Sequence, residues 1–130
     1  MLKIKSLEHV AVAVRDTDAE AEWYRDVLGF SIVYKAPTPP RNYFIRDPAG
    51  RSMIEIIPIK EDDKFSNFDT SPAHLHIAFD VDDFDATKAA LEAKGIRVGE
   101  PTSLAGGGKI VFFRDPEGIP LKLVYRPQSF

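Results

Sequence analysis

The sequence contains no cysteine among its 130 residues. Disulfide bonds, thiolate zinc sites and cysteine nucleophiles are therefore excluded, and any metal would have to be held by histidine and carboxylate side chains. The sequence also lacks an apolar run of the ~20 residues that a membrane span requires, and residues 1–6 lack the apolar stretch of a secretory signal. We therefore expect a cytoplasmic protein with no membrane partner.

An excess of charge of one sign is missing too, because 17 Lys and Arg residues stand against 20 Asp and Glu residues, a net charge of −3. This balance provides no basic surface for nucleic acid, so we expect no nucleic-acid partner. With 44% hydrophobic and 28% charged residues, the composition is that of an ordinary globular chain. A chain of this length predicts a single domain, residues 1–130, with one core.

The order of motifs predicts two copies of one module. Two β-rich segments, residues 7–14 and 74–81, align with His9 over His76. The motif Arg-Asp-Pro-x-Gly also occurs twice, and its proline and glycine favour a type I turn between antiparallel strands. Such ordered recurrence indicates duplication. Residues 60–72 are polar and lack periodicity, so they are the predicted linker.

Each module contains one predicted helix after its first strand. The first helix is expected from Thr17 or Asp18 to Leu28 and the second from Asp83 to Lys94, each ended by a glycine. The other strand candidates are residues 30–34, 42–46, 53–57, 96–98, 110–114 and 120–125. We therefore predict an α+β fold in which two βαβββ modules form a curved, cup-like mixed sheet with helices on its outer face. The modules cover residues 6–59 and 73–126.

Alternation along the predicted strands separates a helix-facing side from an open side. In the first strand the branched Val10, Val12 and Val14 are expected to pack under the helix, which leaves His9 on the open side. The same alternation in the fifth strand places Leu75 under the helix and His76 on the open side.

The last strand of each module adds a charged group to this open side: Glu55 in the first module and Lys122 in the second. Lys122 follows His76 at the same interval at which Glu55 follows His9. Duplication therefore predicts that these four side chains line a shared cavity.

Two imidazoles and one carboxylate predict a divalent metal, Zn, Ni, Mn or Fe, held by His9, Glu55 and His76 with positions left open for water or substrate. The alternative is that each histidine is a hydrogen-bonded strand residue without a ligand. His74 begins its strand and is expected at the rim. Phe44, Phe112 and Met53 are predicted to line a substrate pocket, with plain core packing as the alternative.

Four stretches carry a resemblance to a known family: residues 7–12 (LEHVAV), 23–30 (WYRDVLGF), 76–83 (HIAFDVDD) and 115–124 (DPEGIPLKLV). They resemble the vicinal oxygen chelate superfamily, which includes glyoxalase I, bleomycin-resistance proteins, methylmalonyl-CoA epimerase and extradiol dioxygenases. The resemblance implies a small-molecule substrate or ligand and, as is common in the superfamily, a homodimer.

The resemblance implies that four positions hold the metal in the glyoxalase-like members. These positions match His9, Glu55, His76 and residue 122. The fourth is usually a glutamate that helps to move the substrate proton. Here it is Lys122, whose ammonium cannot coordinate a cation and would be repelled by one.

Three outcomes stay open. In the first, a metal binds His9, Glu55 and His76. Lys122 then turns away, or it is deprotonated and serves as a base, or it binds an anion. Alternatively, Lys122 pairs with Glu55 where the metal would sit, or these residues are relics of a catalytic ancestor. We expect a metal-dependent lyase or isomerase, or less readily a dioxygenase, with Lys122 and Glu55 as catalytic residues. The alternative is a metal-free small-molecule binding or drug-resistance protein.

Overall fold

The computed structural model describes residues 2–61 and 71–130. Most of the predicted linker thus lies outside the described residues. The chain forms two compact units, one before the linker and one after it. The first unit contains β1 (His9–Val14), α1 (Thr17–Leu28), β2 (Ser31–Lys35), β3 (Tyr43–Arg46) and β4 (Met53–Pro58). The second contains β5 (Ile77–Asp80), α2 (Phe84–Ala93), β6 (Thr102–Ser103), β7 (Lys109–Arg114) and β8 (Pro120–Tyr125). The α+β class and the duplicated βαβββ order are confirmed, whereas the union of both units in one domain stays a prediction.

Each unit has its own open, mixed sheet of four strands, in the orders β1-β4-β3-β2 and β5-β8-β7-β6. The first strand of each unit pairs in parallel with the last, and the other pairs are antiparallel. The inner strands β4 and β8 therefore carry the residues at the centre of each sheet.

The helices begin and end where their capping residues require. The side chain of Asp16 accepts a hydrogen bond of 3.0 Å from the backbone N–H of Ala19, and Asp83 caps α2 in the same way. Gly29 ends α1 in the left-handed conformation, at φ 75°, which glycine adopts without steric cost. The predicted helices are confirmed to within a residue or two.

The core of each unit lies between its helix and one face of its sheet. The fully or nearly fully buried apolar side chains of the first unit are Val14, Ala21, Tyr24, Phe30, Tyr43, Ile45, Ile54 and Ile56. Those of the second unit include Phe84, Leu91, Val111, Phe113, Leu121 and Leu123. The alternation predicted for β4 and β8 is therefore observed, and it leaves Glu55 and Lys122 on the face away from the helix.

Two apolar side chains predicted to pack under the helices are instead exposed. Val10 is 43% exposed and Leu75 is 47% exposed. The reason is the position of α1, which packs chiefly over β4, β3 and β2, so that only the end of the edge strand β1, at Val14, is covered. Leu75 precedes the edge strand β5 and is exposed in the same way.

The predicted strand over residues 96–98 is wrong. The sixth strand is the two-residue segment Thr102–Ser103, which pairs with Ile110 and Lys109 of β7. Residues 96–98 precede Gly99, whose backbone N–H donates to the Phe112 carbonyl at 2.9 Å. In the part of the chain that the structure describes, no helix is long and apolar enough to cross a membrane.

The fold predicts a large stability loss for Ile56→Ala, because Ile56 is fully buried beside Glu55 in the inner strand β4. We expect the free energy of unfolding, measured by urea denaturation, to fall by about 2 to 5 kcal/mol. The matched control is Ile4→Ala, since Ile4 is 82% exposed, and its loss should stay below about 0.5 kcal/mol. Equal losses in the two variants would contradict the packing described.

Candidate functional site

The first unit brings together a group that we call the Glu55 half-site: His9, Asn42, Phe44 and Glu55. Strand pairing places Glu55 between Ala11 of β1 and Phe44 of β3, and the small alanine leaves space in front of the sheet. The imidazole Nε2 of His9 lies 3.6 Å from Oε1 of Glu55. The side chain of His9 is 34% exposed and that of Glu55 is 20% exposed, so both groups remain accessible to a ligand.

The orientation of His9 is fixed from its other ring nitrogen. Nδ1 lies 2.9 Å from Oε1 of Glu8, a carboxylate oxygen that can only accept, so Nδ1 carries the proton. In the neutral ring, Nε2 then carries the lone pair, and it is the ring nitrogen that lies near Glu55. Since 3.6 Å is too long for a hydrogen bond, two electron-rich atoms face each other, an arrangement that a cation between them would stabilise.

Glu55 is held on its second oxygen. The side-chain amide of Asn42 donates to Oε2 of Glu55 at 3.2 Å, which leaves Oε1 on the His9 side. The ring of Phe44 contacts His9 edge to face, with 5.2 Å between the ring centroids. The sequence did not single out Asn42, although its place two residues before Phe44 puts it on the same side of the chain.

The second unit contains the corresponding Lys122 half-site: His76, Phe112 and Lys122. The imidazole Nδ1 of His76 lies 2.7 Å from the carbonyl oxygen of Pro72, so this ring also carries its proton on Nδ1 and leaves Nε2 as an acceptor. Phe112 contacts His76 edge to face at 5.4 Å, and Nζ of Lys122 lies 5.8 Å from the centroid of the same ring.

The two half-sites have the same backbone frame and opposite charge. Lys122 lies between Ala78 and Phe112, as Glu55 lies between Ala11 and Phe44. Each histidine has its Nδ1 bound to an acceptor and an aromatic ring at its edge. The duplication predicted from sequence therefore extends to the surroundings of both histidines, and the carboxylate of one copy is replaced by an ammonium in the other.

Hydrogen bonds to Asp18 of α1 hold the segment that leads into the Glu55 half-site. Asp18 accepts hydrogen bonds from the Tyr43 hydroxyl at 2.5 Å and from the Arg41 guanidinium at 3.0 Å. The bond from Tyr43 lowers the pKa of Asp18, and the charge of Arg41 lowers it further. Burial and the bond to Asp18 raise the pKa of Tyr43 to about 12. The residues on either side of Asn42 are thus both tied to the helix; we call these three side chains the Asp18 clamp.

The remaining predicted site residues have simpler surroundings. Met53 lies opposite His9 in the β1–β4 pairing, and its sulfur is 3.7 Å from an Arg46 guanidinium nitrogen. His74 is exposed, as expected for a residue at the rim. Among residues 2–61 and 71–130, no three histidine or carboxylate side chains form a group that could hold a metal ion. The ligand set of His9, Glu55 and His76 stays a prediction.

Comparison with known proteins agrees with this duplicated arrangement. Residues 6–123 match the family model of the Glyoxalase/Bleomycin resistance protein/Dioxygenase superfamily. The chain is 31% identical to the uncharacterized protein YaeR of Escherichia coli, over 95% of this chain and 98% of that protein. It is 30% identical to a lactoylglutathione lyase of Haemophilus influenzae, over 89% of each chain. It is also 29% identical to the mitochondrial methylmalonyl-CoA epimerase of Mus musculus, over 98% of this chain and 75% of that protein.

Among solved structures, the protein SMU.1112c has a TM-score of 0.75 and 32% sequence identity, covering 94% of this chain and 99% of that one. A lactoylglutathione lyase from Agrobacterium tumefaciens has a TM-score of 0.72 and 27% identity, covering 94% of both chains. These likenesses extend over nearly the whole chain.

The Asp18 clamp predicts a specific alkaline dependence of stability. Because the pKa of Tyr43 is raised in the folded protein, its contribution is fully present below the pKa of an unfolded tyrosine, about 10. That contribution is lost as the pH rises toward about 12. Between these pH values we expect the free energy of unfolding, measured by urea denaturation, to fall less in Tyr43→Phe than in the wild type. The control Tyr34→Phe, at a half-exposed position, should follow the wild-type curve, and parallel curves for all three proteins would contradict the prediction.

Proposed function

This chain belongs to the Glyoxalase/Bleomycin resistance protein/Dioxygenase superfamily, and we propose that it is a metal-dependent lyase or isomerase of a small oxygenated molecule. The names of its relatives, lactoylglutathione lyase and methylmalonyl-CoA epimerase, support this class of chemistry. The observation that carries the proposal is the facing pair of His9 Nε2 and Glu55 Oε1, a nitrogen and an oxygen donor 3.6 Å apart.

We propose that His9, Glu55 and His76 would hold the divalent ion: Zn, Ni, Mn or Fe. The residues present fit this role, because two donors bound to one ion at about 2.1 Å lie about 3 to 3.5 Å apart, close to the distance observed. Both histidines also have Nδ1 bound to an acceptor, which is the usual support of a ligating imidazole. Such an ion, when bound, supplies Lewis-acid stabilisation of negative charge on a substrate oxygen.

We assign Lys122 to the substrate rather than to the metal. Its ammonium lies near the face of Phe112, which attracts a cation, and it can bind a carboxylate or another negatively charged oxygen. Phe44, Phe112 and Met53 provide the apolar walls that orient such a ligand and limit the access of water. In this proposal Glu55 and Lys122 are the two charged groups of the catalytic site, and the substrate is an oxygen-rich anion.

A second function is favoured by one observation, the lysine at position 122. An ammonium opposes a divalent ion and, in this alternative, would take its place as the positive charge beside Glu55. The protein would then be a metal-free small-molecule binding or drug-resistance protein of the same fold. In both cases we propose a homodimer that binds a small molecule, because members of the superfamily bind small molecules and often dimerise. We also propose that the protein is cytoplasmic.

Metal analysis separates the two functions. We expect protein prepared without a histidine tag to bind about one divalent ion per chain, measured by elemental analysis after dialysis against the metal. His76→Ala should lose this ion, because it removes one of three proposed ligands. The matched control is His74→Ala, since His74 is exposed only two residues away. Wild-type protein that takes up no metal would favour the binding protein and reject the enzyme.

The charge at position 122 gives a further prediction. Lys122→Glu should tighten metal binding by more than about tenfold, because it removes a repelling ammonium and adds a carboxylate ligand. Lys122→Met, which removes only the charge, should have a smaller effect of the same sign. Lys94→Glu makes the same charge change at an exposed position and should leave the affinity unchanged in a chelator competition assay. Weaker binding in Lys122→Glu would refute the proposed position of the lysine.

A further inference from the structure

We propose that Asn42 is a positioning residue of the Glu55 half-site, which holds one carboxylate oxygen so that the other stays directed at His9. The inference rests on the proposed function, because it assigns Asn42 a role toward a proposed metal ligand. Asn42 would itself contact neither metal nor substrate.

The two oxygens of Glu55 have separate partners. Oε2 accepts the Asn42 amide at 3.2 Å, and Oε1 faces Nε2 of His9 at 3.6 Å. A glutamate side chain otherwise rotates freely about its last bond, so that either oxygen could face the imidazole and neither would stay there. A single donor on Oε2 removes that freedom and leaves Oε1 as the oxygen available to a cation.

Asn42 can act in this way only if its own backbone is held. The Asp18 clamp provides this, because Arg41 before it and Tyr43 after it both bind Asp18 on α1. The carbonyl of Asn42 also accepts the backbone N–H of Ala36 at 3.0 Å. Arg41 and Tyr43 therefore point to the helix, while Asn42 points to the opposite side, where Glu55 lies.

The second module offers an internal comparison. Asn42 stands two residues before Phe44, which pairs with Glu55, and Ile110 stands two residues before Phe112, which pairs with Lys122. An amide donor thus occurs in the copy that has a carboxylate to hold. In the copy that has an ammonium, which donates and cannot accept, the same position is apolar. The pattern is expected if residue 42 serves the charged group rather than the strand.

The experiment measures Co²⁺ binding to the full-length protein by competition with a chromophoric chelator, and records the visible spectrum of the bound ion. Asn42→Leu keeps the approximate size of the side chain but has no donor, and we expect it to bind Co²⁺ about 10- to 100-fold more weakly than the wild type. Asn42→Gln keeps the amide and should recover part of the affinity. Thr38→Ala, at an exposed position in the same loop, is the control and should bind as the wild type does.

Two readouts separate positioning from folding. Thermal unfolding of the metal-free proteins should change little in Asn42→Leu, while the visible spectrum of its bound Co²⁺ should differ from that of the wild type. Equal Co²⁺ affinity and spectrum in wild type and Asn42→Leu would overturn the role of Asn42 and leave the proposed function intact. A wild-type protein that binds no Co²⁺ would overturn both.

Discussion

The parallel pairing of β1 with β4 determines which side chains meet in the first unit. Its register places Met53 beside His9 and Glu55 beside Ala11, so that histidine and carboxylate share the face opposite the helix. Because side chains alternate along a strand, a shift of one residue would turn Glu55 into the core and expose Ile56. The apolar core on one face therefore fixes the polar pair on the other, and the burial of Ile54 and Ile56 is a condition for the half-site.

The same register in the second unit shows how duplication can preserve a frame while its chemistry diverges. Phe112 and Ala78 flank Lys122 as Phe44 and Ala11 flank Glu55. The histidines keep their proton on Nδ1 by different means, a glutamate side chain for His9 and a backbone carbonyl for His76. The carbonyl of Pro72 is independent of side-chain identity, whereas the support of His9 depends on Glu8. The backbone thus maintains one imidazole and a replaceable side chain the other.

Most of the fold could be predicted from the sequence because its signals are local. Capping residues and glycines marked the helices, and alternation placed Glu55 and Lys122 on the open faces. The sixth strand was missed because a pair of residues, Thr102–Ser103, has no periodicity to detect. Val10 was placed wrongly because the helix covers only part of the sheet, a property of tertiary packing that alternation does not contain.

The charged residues of the candidate site could be predicted from the sequence, but the groups that hydrogen-bond to the site residues could not. Asn42 follows a proline-containing loop, and its direction depends on two neighbours binding Asp18 on a distant helix. Pro72 supports His76 through its backbone, which has no signature in residue type. Whether His9 and Glu55 share one ion with His76 depends on contacts between modules, which local patterns do not encode; this part of the site stays a prediction.

The exchange of carboxylate for ammonium at position 122 has a consequence for the substrate. In the proposed site a divalent ion would have one carboxylate ligand, from Glu55, and a lysine nearby, so its charge would be only partly neutralised. A second carboxylate, as in the glyoxalase-like pattern, would compensate more of that charge. In this proposal the lysine would make the site electropositive, and an anionic oxygen of the substrate would supply the missing negative charge. On this basis substrate binding and metal binding would reinforce each other. The attraction between the metal cation and the anionic oxygen of the substrate would offset the free energy that each loses on leaving water.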